Sequence, residues 1–585
     1  MIEKFEDSVL KLYNIILQPL DIIYKKIAIQ NCRKIFGMSE NESFGQEYYK
    51  VKHYTRATGA IYTPPKLAEY IVNNTINEED VVKNPYLKIL DPACGTGNII
   101  IPGIKRLKSI FEKNLDLINS NNNLDIDFNL VVKHILDNNI YGFDIDKIAL
   151  KILQIDIFEM YGYVNFNKFI TTDFLLTKLN CKYDIIVGNP PYIGHKSIDK
   201  AYARILKNIY SNVYSDKGDI SYCFFSKSID NLKFDGKLTF ITLRYFMESQ
   251  SGENLRGLIG NYTYIYKIVD FYGIRPFKGI GIDPVIIFLR NRKLENYNAE
   301  VIRPIETKYK GTKLFLDSLF LNKLNKVRKF YVGNLYIKNN KWNLVDENER
   351  KILDKIFEKT HYTLDDICTS YQGIITGCDR AFVVDKDTVL NESLETNIIK
   401  PWIKSSFIKK NEIIKEDKFL IYSDLIDDEK RYPNIINHIY KYKCKLLDRR
   451  ECKNGIRKWF ELQWGRSPDL FEGKKIIFPY KSSNNRFSID IGSYFSADVY
   501  ALCIKEEFKI SYEYISELLN SRIYEFYFKT IAKKLGEDLF EYYPNKLMKL
   551  KIPLIGDCKR IDDDILDKYF NITASEKQII DMKNI

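Results

Sequence analysis

Asn189, Pro190, Pro191 and Tyr192 form a run of residue types that could act on an amino group. The Asn189 side-chain carbonyl and the Pro190 main-chain carbonyl are two acceptors, held rigidly by consecutive prolines. Two converging acceptors suit an exocyclic amino group, which offers two N–H donors. Tyr192 adds a flat aromatic face that suits the base carrying that group. The run follows Tyr183 to Gly188, a short apolar stretch expected to be a buried strand. Two prolines cannot continue a sheet ladder. Asn189 is therefore expected at the carboxyl end of that strand, where open α/β sheets bind their ligands. A proline turn without chemistry is the competing reading of the tetrapeptide alone, and its neighbours decide between the two.

Three further strand ends precede it. Leu87 to Leu90 reads as a strand running into Asp91-Pro92-Ala93-Cys94-Gly95-Thr96-Gly97, with an apolar-periodic helix after it. The spacing is not Gly-x-Gly-x-x-Gly, and no Gly-Lys-Ser/Thr follows, so a phosphate cradle is not indicated. Gly95 and Gly97 let the backbone approach a ligand closely. Asp91 can accept from a cationic amine. A second strand, Ile140 to Asp144, ends in an acid placed to take both hydroxyls of a ribose. The Asn-rich stretch 119–123 reads as a surface insertion between the two strands. A third strand ends at Thr171-Thr172 before Asp173 and Phe174, where the acid could accept from an adenine amino group and the ring could flank it. Upstream, Thr63 is placed as a helix N-cap with proline at the first helical position.

In this order the four strand-end motifs resemble the S-adenosylmethionine-dependent N6-adenine DNA methyltransferases. With the Tyr62-Thr63-Pro64 segment first and a recognition domain last, the order is similar to the gamma class. That class includes the methyltransferase parts of type IIG restriction–modification enzymes, and the resemblance is especially close to orphan adenine methyltransferases of the CamA type. Gln372 to Phe382 and Leu518 to Pro553 resemble segments of the family's target-recognition domains. The resemblance implies a Rossmann-like class I α/β fold with a mostly parallel seven-stranded sheet, plus a C-terminal α+β recognition domain. It implies S-adenosylmethionine as cofactor, with S-adenosylhomocysteine as product and no metal. Tyr62, Thr63, Asp91, Ala93, Gly95, Asp144, Ile145, Asp173, Phe174 and Asn189 would bind the cofactor. Asn189 and Pro190 would hold the target N6, and Tyr192 and Phe277 would sandwich a base rotated out of the duplex. Glutamine methyltransferases and some RNA methyltransferases also carry the tetrapeptide, but usually lack so large a C-terminal body.

Composition sets the frame. The chain has 585 residues, too many for one ordinary core. Lys+Arg 89 against Asp+Glu 77 gives a net charge of +12, a mild excess compatible with a polyanionic partner. Four parts are expected. They are a helical arm at 1–55, a methyltransferase domain at 56–300, a connecting segment at 301–360 and a recognition domain at 361–585. In the arm, Val9, Leu12, Tyr13, Ile16, Leu20, Ile23 and Ile27 recur at helical spacing. It shows no Asp…Glu-x-Lys nuclease pattern.

His195, Lys196, Lys200, Arg204, Lys207 and Lys217 follow the motif as candidate phosphate contacts. Arg457, Lys458, Trp464, Arg466 and Lys481 are candidate DNA contacts in the C-terminal body, where basic and aromatic residues interleave. The start has no signal-peptide core and no run is long enough to cross a membrane, so a cytoplasmic enzyme is expected. Scattered cysteines and five distant histidines make disulfides and a zinc site improbable. One motif set and one recognition body suggest a monomer acting on double-stranded DNA at a non-palindromic site, with no obligate protein partner and no membrane.

Overall fold

The computed structural model describes all residues except 1, 40–41, 53–60, 195–196, 216–217, 278–280, 306–308, 322–326, 335–341, 343, 415–416, 537, 557–559 and 585. Of the sequence-based readings, His195, Lys196, Lys217 and the middle of the loop after Phe277 lie outside the described residues. The chain divides into two compact units, Met1–Leu344 and Val345–Ile585.

The first unit is built on one nine-stranded sheet in the order β3-β2-β1-β4-β5-β7-β6-β8-β9. It opens with α1 (Ile2–Leu17), α2 (Ile22–Ile35), α3 (Phe44–Val51), α4 (Pro65–Thr75) and α5 (Glu78–Lys83). Then come β1 (Ile89–Asp91), α6 (Ile100–Asn122), α7 (Val131–Asn138), β2 (Ile140–Asp144), α8 (Lys147–Tyr161), β3 (Phe169–Thr171) and β4 (Tyr183–Gly188). After these follow α9 (Lys200–Ile209), α10 (Ser221–Asn231), β5 (Leu232–Leu243), α11 (Glu253–Tyr262), β6 (Tyr264–Asp270) and β7 (Pro284–Arg290). The unit closes with β8 (Asn298–Pro304), α12 (Tyr309–Leu321) and β9 (Val327–Gly333). Strands β1 to β5 pair in parallel, and β7 runs antiparallel to both β5 and β6.

This is a class I methyltransferase-like α/β fold with two corrections. The sheet has nine strands, because β8 pairs with β6 and β9 pairs with β8. Strands β8 and β9 therefore extend the sheet across part of the expected connecting segment.

Alternation along the strands explains how the sheet is covered. Side chains point to opposite faces in turn, so Ile89, Ile185, Val187 and Ile241 join one apolar cluster and Leu90, Ile186, Leu238 and Phe240 join the other. The first cluster takes in α1, α3, α4, α6 and α8, and the second takes in α9, α10 and α11. Helix α8 is buried nearly all round, as a helix between a sheet and a further layer must be. That further layer is the arm, since α1 and α3 both pack against α8.

The arm corrects the periodic reading. Phe5, Val9, Leu12 and Ile16 form the buried face of α1. The chain breaks at Pro19, and Leu20, Ile23 and Ile27 lie exposed on the far side of it. The Asn-rich stretch is no insertion loop either. It is the last turn of α6, ended by Asn123 in the left-handed conformation at φ 51°. Asn122 ties that turn to the carbonyl of Val82.

The second unit carries two four-stranded sheets. One runs Cys368–Gln372, Val499–Ile504, Lys474–Pro479 and Ser488–Ile491, all antiparallel. The other runs Val383–Asp385, Lys418–Ile421, Ile399–Ile403 and Tyr494–Phe495. Among the described residues no helix is long and apolar enough to cross a membrane. None of their His, Cys, Asp and Glu form a group of three that could hold a metal ion.

Candidate active site

β1 lies between β2 and β4, and the chain leaves it in opposite directions on its two sides. The register sets Ile89 beside both Ile140 and Ile185. Asp91, Asp144, Asp173 and Asn189 consequently come out at the same edge of the sheet. The turn after β1 is tight. Cys94 N–H donates to the Phe143 carbonyl at 2.9 Å, and Gly95 and Gly97 take φ of 52° and 88°. Those angles suit glycine, and a Cβ at Gly97 would lie 2.2 Å from Leu153.

Asp144 receives Gly95 N–H at 2.7 Å on one oxygen and Asp146 N–H at 2.8 Å on the other. Each oxygen keeps a lone pair for a hydroxyl of a ligand. Burial raises its carboxyl, and the two N–H groups oppose that. Asp91 is more extreme. Its carboxylate is buried, accepts the Ala93 N–H at 3.1 Å and lies beside a second acid, Asp144. Burial pushes it up to about 8. A cationic amine from a ligand is the group that would relieve it. Next to Asp144, Ile145 stands 75% exposed, an apolar face open to a ring. A nucleoside with a cationic amino-acid tail, as in S-adenosylmethionine, fits these groups.

Asn189 is held at three points. Its amide nitrogen donates to the carbonyl of Ile61 at 2.9 Å and to the hydroxyl of Thr63 at 3.0 Å. Its side-chain carbonyl accepts from the Tyr192 hydroxyl at 2.5 Å. The amide can therefore face only one way. Thr63 is not the N-cap of α4, which begins at Pro65 with Pro64 in the cap position and no side-chain capping bond. Its hydroxyl serves Asn189. The Tyr192 ring is 6% exposed, and its hydroxyl also reaches the Ile241 carbonyl on β5 at 3.1 Å. Burial, with Asp219 nearby, pushes that hydroxyl far up, so it stays a donor. Asp219 bridges to Gly194, two residues past Tyr192.

Other predicted residues are arranged differently. Asp173 accepts from Leu175 N–H at 2.9 Å and from the Tyr202 hydroxyl of α9 at 2.8 Å. The Phe174 ring does not stand free to flank a ligand. It is 2% exposed and stacks on Phe224 at 5.4 Å. Phe277 is 4% exposed and belongs to the cluster that includes Phe271, Ile274 and Phe315. Tyr62 packs edge-on against Tyr49 of α3 at 5.2 Å. Lys200 and Arg204 are both exposed, one turn apart on α9.

Residues 161–277 match the family described as Eco57I restriction-modification methylase. Residues 400–554 match the TaqI-like C-terminal specificity domain. Over 90% of its length the chain is 24% identical to the type II methyltransferase M.BstVI of Geobacillus stearothermophilus, covering 95% of that protein. It is 26% identical to M.HindII of Haemophilus influenzae over 64% of this chain and 76% of that one. The type IIL restriction-modification enzyme MmeI, solved in complex with DNA, shares the fold with a TM-score of 0.56 at 14% identity. That match covers 86% of this chain and 71% of MmeI.

The chain is similar to the type II DNA methyltransferases over most of its length.

The TaqI-like specificity domain lies within the second unit, where the candidate DNA residues divide. Lys458, Arg466 and Lys481 are exposed, and Trp464 is 39% exposed. Arg466 has φ of 67°, an uncommon backbone for a non-glycine residue. Arg457 is not a free cation. It pairs with Asp424 at 3.2 Å, and the same carboxylate takes Leu462 N–H at 2.9 Å. Arg457 therefore braces this loop. Spacing along the sequence does not mark Tyr49, Tyr202 or the Tyr192–Asn189 bond.

Proposed function

We propose that this chain is a site-specific adenine-N6 DNA methyltransferase. It would move the sulfonium methyl of S-adenosylmethionine to the N6 of an adenine rotated out of double-stranded DNA, leaving S-adenosylhomocysteine. The observation that carries this reading is the amide of Asn189, fixed at the strand end by Ile61, Thr63 and Tyr192.

When bound, the cofactor supplies an already activated methyl group. Asn189 and the Pro190 carbonyl accept hydrogen bonds from the N6 amino group and orient the nitrogen lone pair, and methylated N6 then sheds one proton to solvent. They also stabilise the positive charge that develops on N6. Tyr192 and Phe277 are proposed to enclose the extruded base. Asp144 and Ile145 would take the nucleoside of the cofactor, Asp173 its adenine amino group, and Asp91 its ammonium. Ala93, Gly95, Tyr62 and Thr63 would complete that site.

The second unit would read the sequence, with Trp464 and Arg466 the leading candidates. Lys200 and Arg204 would hold phosphates. We propose action in the cytoplasm as a monomer, on one strand of a non-palindromic site, without a nuclease of its own. Residues 1–55 carry no nuclease pattern, and one site with one specificity domain gives no two-fold reader. Use as the modification half of a restriction–modification pair is the alternative, favoured by the M.BstVI and M.HindII kinship.

Tritiated methyl transfer from S-adenosylmethionine to DNA, RNA and protein in parallel tests the substrate class. Label in DNA alone is expected, and label in RNA or protein would overturn the proposal.

A further inference from the structure

Helix α3 is tied at both ends to elements that carry the cofactor site. At its start, the buried carboxylate of Asp156 on α8 accepts the N–H groups of Phe44 at 3.0 Å and Gly45 at 3.1 Å. At its end, Asp146 accepts from the Tyr48 hydroxyl at 2.8 Å and from Lys52 Nζ at 2.5 Å. Asp146 is the residue whose N–H holds Asp144. Between these ties α3 lies directly on the glycine turn, so that a Cβ at Gly45 would fall 2.7 Å from Thr96 Oγ1.

Tyr49 is placed by this clamp. Its hydroxyl oxygen lies 2.9 Å from the position a Gly95 Cβ would take, and its ring packs edge-on to Tyr62. Burial and the neighbouring carboxylate of Asp144 push the hydroxyl up, so it stays protonated. Hydrogen bonds with Thr96 of the glycine turn hold that hydroxyl in place. Here the hydroxyl stands at Gly95, beside Asp144 and Thr96, where the ribose and amino-acid part of the cofactor would meet the turn.

We infer that Tyr49 is a cofactor-binding residue and that α3 of the N-terminal arm is one wall of the cofactor pocket. The inference rests on the proposed reading of this turn as the S-adenosylmethionine site. It makes the arm part of the catalytic unit.

Calorimetric titration of the full chain with S-adenosylhomocysteine tests it. Losing one hydrogen bond of ordinary strength, Tyr49→Phe is expected to weaken binding about five- to tenfold. Tyr49→Ala should weaken it further. Tyr24→Ala, at an exposed position of the same arm, should stay within about twofold of wild type, as surface substitutions usually do. Thermal melting followed by circular dichroism reports whether each variant is folded, and Tyr49→Phe decides the matter if Tyr49→Ala does not fold. Wild-type binding with Tyr49→Phe unchanged would overturn this inference alone. No binding by the wild type would overturn the cofactor reading and this inference together.

Discussion

Tyr192 donates its hydroxyl to the side-chain carbonyl of Asn189 at 2.5 Å, and the same hydroxyl lies 3.1 Å from the Ile241 carbonyl. The proposed acceptor for the target amino group thus already accepts one hydrogen bond from within the chain. The hydroxyl also has a second acceptor to turn to. On the proposed reading Tyr192 has two separable parts, a ring for the base and a hydroxyl for Asn189.

Two substitutions separate them. Tyr192→Phe keeps the ring and loses one hydrogen bond, so turnover should fall about fivefold. Tyr192→Ala also loses base stacking of roughly 1–3 kcal/mol. With 2-aminopurine at the target position, fluorescence enhancement on binding should survive Tyr192→Phe and shrink in Tyr192→Ala. Full enhancement in Tyr192→Ala would remove the ring from the base site.

Thr63 is expected to act through Asn189. Thr63→Val leaves one amide N–H without its partner, a loss of about 1–3 kcal/mol, and turnover at saturating cofactor and DNA should drop by about tenfold or more. Thr63→Ser keeps the hydroxyl and should restore most of it. In an Asn189→Ala background Thr63→Val should add little, because residues sharing one network are not additive. Full additivity in single-turnover rates would show that Thr63 works elsewhere.

Cofactor affinity should rise with pH. Free Asp91 is raised to about 8, so near neutrality it is mainly protonated and must release a proton to accept a cationic amine. Binding of S-adenosylhomocysteine should tighten from pH 6 and level off near 8, with proton release visible in buffers of different ionisation enthalpy. Asp91→Asn should flatten the profile. An unchanged slope in that variant would assign the proton to another group.

The four strand ends were legible because local chemistry marks them. A glycine turn after a strand, acids at the next two ends and two prolines after the fourth each have a local cause. The parallel register then brings Asp91, Asp144, Asp173 and Asn189 together. Tertiary packing was not legible. Helical spacing grouped Leu20, Ile23 and Ile27 with Val9 and Leu12, but the break at Pro19 turns them to solvent. An aromatic beside an acid suggested a ring for the cofactor at Phe174, but Phe224 claims that ring. Tyr49 and Tyr202 reach the site from distant segments, which no spacing rule reports.

DNA contacts should divide by type. Lys200→Ala and Arg204→Ala should each weaken binding to all duplexes and lower the salt slope by roughly 0.9. Arg466→Ala and Trp464→Ala should instead narrow the gap between the preferred site and other sequences. Single-molecule sequencing of DNA methylated by the full chain supplies that site and should show marks on one strand. Symmetric marking of both strands would refute action as a monomer on a non-palindromic site.

On the proposed mechanism adenine is methylated at N6 while its amino group bonds to the Asn189 and Pro190 carbonyls. Nucleoside mass spectrometry of DNA treated with wild type and Asn189→Ala tests it most directly. The wild type should yield N6-methyladenine as the only methylated nucleoside. Loss of a pre-organised polar contact should lower its rate of formation in Asn189→Ala on the order of a hundredfold or more, while calorimetric affinity for S-adenosylhomocysteine changes little. A methylated cytosine from the wild type, or near-normal N6-methyladenine from Asn189→Ala, would contradict it.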